Sequence, residues 1–140
     1  GEPYQYQNVT DKTALGTALT HAWALLQALE RGLGVTPVKD PQHAVLLARH
    51  SELKGLRDRL IAALGTDRPR QDGHYEMPAI TDTASLQTAQ LGLEMNLLNG
   101  LAGVVAAAGE KDWLDGTLAQ VPRVQALGGR IPAWPGWVNS

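Results

Sequence analysis

Glu94 stands inside the longest apolar stretch of the chain, flanked by Leu91, Leu93, Met95, Leu97 and Leu98. On a helix it points where they point. An unpartnered buried carboxylate costs several kcal/mol or stays protonated. Glu94 is therefore a functional group, a member of a pair, or a residue on an exposed seam. At 100° per residue, Leu86, Leu93, Leu97, Leu101 and Val104 form one side of an apolar arc, and Leu91, Met95, Leu98 and Val105 the other. Glu94 and Gln90 fall between them. One segment earlier, Arg49 falls among the directions of Val45, Leu53, Leu56 and Leu60. The structural expectation is that Glu94 pairs with Arg49, or accepts a hydrogen bond from His21 or His50.

The chemical alternative is a metal. Di-iron helical bundles take a Glu from each of two helices and a Glu-x-x-His from each of the other two. Glu30, Glu52, Glu94 and Glu110 are each followed three residues on by something other than His, and no Glu-x-x-His occurs in the chain. The expectation is no di-iron centre and no cofactor. A mononuclear site from His21, His50 and Glu94 is the alternative, with ligand types that zinc accepts. His43 and His50 lie two helical turns apart, about 10 Å along the axis, and do not share an ion. No Ser lies in a nucleophile-elbow pattern and no Gly-rich phosphate loop occurs. The sequence assigns no catalytic residue.

The elements that must position these groups are helical. The chain has 140 residues, 44% hydrophobic and 19% charged, with no Phe and no Cys. That length suits one domain with a sizeable core. Period-two strand signals are essentially absent. Four helices are expected, over about 11–33, 41–64, 82–108 and 110–127. Thr10 reads as the first N-cap, and Gly32 and Gly34 as the first helix's end. Asp40 followed by Pro41 is a strong start signal. Gly55 inside the second helix suggests a close helix neighbour. Thr81 or Asp82 caps the third helix. Pro122 predicts a kink or break in the fourth. Short links make antiparallel neighbours. The link from Thr66 to Ile80 covers about 50 Å when extended, enough to travel the length of a bundle of about 40 Å. Two antiparallel hairpins joined by a long crossover is the ferritin-like arrangement of an all-α four-helix bundle.

The segment "HYEMPAITDTASLQTAQLGLE" resembles a bacterial family of ferritin-like domains of unknown function, many of them predicted lipoproteins. Its members carry Tyr-x-x-Pro and then Val/Ile-Thr-Asp before the third helix, matched here by Tyr75, Pro78, Ile80, Thr81 and Asp82. The closing "PAWPGW" is similar to the family's aromatic-Pro-Gly element through Trp134, Pro135 and Gly136. The likeness covers roughly residues 10–137. It implies export to the cell envelope and no established activity.

Partners are bounded more than identified. The net charge of −2 supplies no single-sign field for nucleic acid. Arg57, Arg59, Arg68 and Arg70 gather in sequence, with Asp58, Asp67 and Asp72 among them; they read as a solvated face, with a polyanion site as the alternative. No apolar run is long enough to span a membrane. Trp134 and Trp137 in the extended Pro-rich tail either fold back over the bundle's open end or form an interaction surface. Trp23 and Trp113 cap the bundle or sit in a dimer interface, and the helix faces could assemble a homodimer. The leading expectation is a non-enzymatic, envelope-associated binding or scaffold domain. The alternative is a metal-dependent oxidoreductase or metal-storage protein with an atypical site.

Overall fold

A computed structural model describes residues 3–108 and 111–127, with side-chain detail over 12–107 and 117–127. The described residues form four helices and no strand: α1 (Pro3–Val35), α2 (Pro41–Leu64), α3 (Thr83–Ala108) and α4 (Lys111–Ala126), with a single 3-10 turn at Gly65–Asp67.

Local chemistry explains most of the boundaries. Asp40 is extended at φ −73°, ψ 130°, and its carboxylate accepts from the Gln42 amide at 2.9 Å, with Pro41 in the first turn. Gly65, at φ 59°, ends α2 in a conformation that side chains rarely adopt. At α3, Asp82 Oδ1 accepts from the Ser85 amide at 2.9 Å, while Ser85 Oγ accepts from the amides of Thr81 and Asp82 at 2.9 and 3.0 Å. This reciprocal cap holds the Asp82 carboxyl below its ordinary range, chiefly through the Ser85 amide.

Several expectations are corrected. α1 starts at Pro3 and runs through Thr10, so Thr10 is no N-cap; proline fits a first turn, where its missing N–H has no intrahelical acceptor. α1 also passes Gly32 and Gly34 to Val35. Gly32 is buried because α3 lies on it: a Cβ there would be 2.6 Å from Leu86 Cδ1. Gly55 is exposed with open space beside it. The close approach is at Gly100, where a Cβ would be 3.1 Å from the Ala18 Cα of α1. α4 continues past Pro122 to Ala126. Pro122 is exposed, so water can satisfy the carbonyl it leaves without a donor.

These contacts set the helix directions. Gly32 beside Leu86 and Gly100 beside Ala18 run α1 and α3 antiparallel. Lys12 pairs with Asp67 and Glu30 with His50, so α1 and α2 are antiparallel too. α3 packs on α4, while α2 makes no comparable contact with α3 or α4. The core is an Ala/Leu interior centred on α1, with Leu19, Leu25, Leu29, Leu53, Leu60, Leu97 and Leu101 almost fully enclosed. Trp23 belongs to it at 4% exposure, which corrects its reading as a dimer-interface residue.

The link between α2 and α3 lies along α1. Pro69 faces Gly16, the Gln27 amide donates to the Gly73 carbonyl at 3.0 Å, and the Tyr75 amide donates to Gln27 Oε1 at 2.9 Å. Tyr75 is buried, and its hydroxyl accepts from the Asp72 amide at 2.9 Å. Arg31 donates to His74 Nδ1 at 3.1 Å.

Candidate functional site: a buried polar clasp

Three of the buried polar residues, Arg49, Glu94 and Gln120, meet in one cluster. Arg49 of α2 reaches Glu94 of α3 through two bonds, Nε to Oε2 at 2.9 Å and Nη2 to Oε1 at 2.8 Å. This is the planar fork that suits a guanidinium to a carboxylate. Arg49 Nη2 also donates to Gln120 Oε1 of α4 at 2.8 Å. Gln120 Nε2 donates to Glu94 Oε1 at 2.6 Å and to the Glu94 backbone carbonyl at 3.0 Å. Relative exposures are 8% for Arg49, 1% for Glu94 and 2% for Gln120.

Helical spacing delivers each group. Arg49 shares a face with Leu46, Leu53 and Leu60, all buried. Glu94 follows Leu93 and precedes Leu97 and Leu98, also buried. Gln120 stands between buried Thr117 and Val124, a three-and-four-residue stripe on α4. That stripe was the available sequence signal for Gln120. It is easily passed over because its three members are not all apolar. Val45, expected on the apolar arc of α2, is instead 56% exposed.

The cluster extends outward. Arg49 Nη1 is 3.8 Å from Glu52 Oε1, and Glu52 Oε2 receives Arg123 Nη2 of α4 at 2.8 Å. Two arginines and two glutamates thus alternate from the interior to the edge. Above them opens a cleft of about 370 Å³, with Val45, Ala48, Ala126 and Leu127 as apolar walls and Arg49 and Glu94 in its lining.

The Glu94 carboxylate accepts three hydrogen bonds from protein donors, and a guanidinium lies against it where a metal ion would bind. To act as a base or a metal ligand it would first have to shed those bonds. What the arrangement does is tie three helices together, bridging α2 and α4 through side chains. His50 is engaged elsewhere: its Nε2 lies 3.0 Å from Glu30 Oε2 at an exposed position. His21 is half-buried against α3, where a Cβ at Gly100 would be 3.2 Å from its Cδ2, and burial lowers its pKa. Among the described residues no three His, Cys, Asp or Glu side chains gather to hold a metal, so His21, His50 and Glu94 are not brought together. Trp134, Trp137 and the Trp113 side chain lie outside the described residues.

No described helix is long and apolar enough to cross a membrane. No protein-family profile matches the chain, and neither a curated protein nor a solved structure is significantly similar to it.

Proposed function

We propose that this chain is a non-enzymatic, envelope-associated ferritin-like domain that serves as a binding or scaffold module and lacks a di-iron centre. Helix directions support the ferritin-like arrangement: α1 is antiparallel to α2 and α3, and a long link lying along α1 joins the two halves. The Tyr75–Asp82 resemblance supports the same arrangement and is the basis for the envelope location.

One observation carries the loss of the metal centre: Arg49 occupies the carboxylate face of Glu94 at mid-bundle. A ferritin-like di-iron site needs carboxylates from several helices and two Glu-x-x-His pairs converging there. This chain has no Glu-x-x-His, and its one mid-bundle carboxylate of α3 is held by a guanidinium and an amide. The residues do not fit a pair of irons. What remains available for recognition is the neutralised cleft above the clasp, whose apolar walls and few convergent polar groups are the usual make-up of a small-ligand site.

Metal analysis of protein purified without chelator tests the reading. The expected result is substoichiometric iron, manganese and zinc in both the native protein and Glu94→Gln. Stoichiometric metal that disappears in Glu94→Gln overturns it.

A further inference from the structure

A second cleft, which shares no lining residue with the one above the clasp, is lined by three arginines. It has a volume of about 610 Å³ and lies between the C-terminal part of α2 and the start of the link. Arg57 and Asp58 of α2 line it, as do Arg68 and Arg70 of the link, with Trp23 and Ile61 beside them. Asp58 is the one acid in the lining, and it is already engaged, accepting from Arg57 Nε at 3.0 Å. Among the described residues no acid pairs with Arg68 or Arg70. Two positive charges around the cleft are left uncompensated.

The backbone carrying Arg68 and Arg70 is held on both sides. Before them Asp67 pairs with Lys12; between them Pro69 faces Gly16; after them the Asp72 amide donates to the Tyr75 hydroxyl and the Gly73 carbonyl accepts from Gln27. Arg68 is extended at φ −66°, ψ 144°. Both Arg68 and Arg70 line the cleft, on either side of Pro69. Like charges brought to one cleft by a restrained backbone repel each other. An oxyanion between them removes the repulsion and matches the planar fork of each guanidinium.

We propose that this cleft binds a compact multivalent oxyanion of the phosphate class, with Arg57, Arg68 and Arg70 as its donors. Phosphate of this kind is available as a soluble anion or as a lipid headgroup. The site is independent of the clasp and of the reading given to it.

Titration calorimetry with inorganic pyrophosphate at low salt is the test. Saturable binding is expected. It weakens at least about tenfold in the double variant Arg68→Gln/Arg70→Gln, since two exposed charge contacts together contribute about that factor. Both side chains are exposed, so the variant is expected to keep the native circular dichroism and urea midpoint. Lys54→Gln removes an exposed charge of α2 outside the cleft and leaves the affinity within about twofold. Sedimentation with phosphatidylglycerol vesicles then separates the sources: no pelleting assigns a soluble ligand, and pelleting that pyrophosphate competes away assigns a headgroup. Absence of saturable pyrophosphate binding overturns the proposal. So does undiminished binding by the double variant, or an equal loss in Lys54→Gln.

Discussion

Arg49 and Glu94 meet through two hydrogen bonds of 2.9 and 2.8 Å, from helices that make little other contact. Their value depends on which partner is removed. A buried ion pair gains little over well-packed apolar groups, because both charges are desolvated. Breaking it from one side is different, since the survivor stays buried and unpaired.

Glu94→Ala is therefore expected to lower stability by about 3–5 kcal/mol in urea unfolding. Arg49→Met/Glu94→Leu is expected to cost clearly less than the two single changes added together. Gln120 does not lose everything in the double variant, because its Nε2 still donates to the Glu94 backbone carbonyl, 3.0 Å away. A loss below about 0.5 kcal/mol for Glu94→Ala would mean that the pair is effectively solvated.

The glycines separate helix propensity from packing. Gly55 has open space around its missing side chain, so Gly55→Ala is expected to raise stability by about 0.5–1 kcal/mol through propensity alone. Gly100→Ala brings the same gain, but its Cβ would press on the Ala18 Cα, a backbone atom of a packed helix. Overpacking costs about 1–3 kcal/mol, so the net effect is destabilising by up to about 2 kcal/mol. Thermal unfolding of the two variants side by side checks the opposite signs. Equal shifts would mean that α1 and α3 are not in tight contact at Gly100.

The same pair of positions marks what the sequence could convey. Gly55 and Gly100 are both glycines inside apolar helical patterns, and nothing local says which one faces a neighbour. Facing is a tertiary property. Where the signal is local, as in Asp40–Pro41 or the choice of Thr81 or Asp82 before the third helix, the sequence reading and the structure coincide, because the cap is made within a few residues. Arg49 and Glu94 were legible for a related reason: charges in apolar arcs have few partners to choose from. Gln120 was not, since a neutral amide in a half-polar stripe raises no electrostatic alarm. The extension of α1 to Pro3 has no such signal, because Thr10 is a competent cap that the helix simply runs through.

His21 gives the fold a pH dependence whose sign follows from burial. Desolvation favours the neutral imidazole and lowers the folded-state pKa below the ordinary 6.5. The unfolded chain then takes up a proton more readily than the folded one. The contribution of His21 is full above its unfolded value and is lost as pH falls from there through the folded value. Urea midpoints measured from about pH 7 down to about pH 5 are expected to fall, and to fall less in His21→Gln. Identical slopes for the two proteins would remove His21 as the cause.

Thr36 offers a change in the stabilising direction. It is 4% exposed beyond the end of α1, and its hydroxyl has no hydrogen-bond partner among the described residues. An unsatisfied buried hydroxyl costs about 1–3 kcal/mol, and valine has nearly the same shape without it. Thr36→Val is expected to stabilise by about 1 kcal/mol in urea unfolding. Thr36→Ser keeps the hydroxyl and loses the methyl, so it is expected to destabilise by about 1 kcal/mol. If Val destabilises and Ser does not, the hydroxyl is bonded in solution, and the explanation in terms of an unmet donor is wrong.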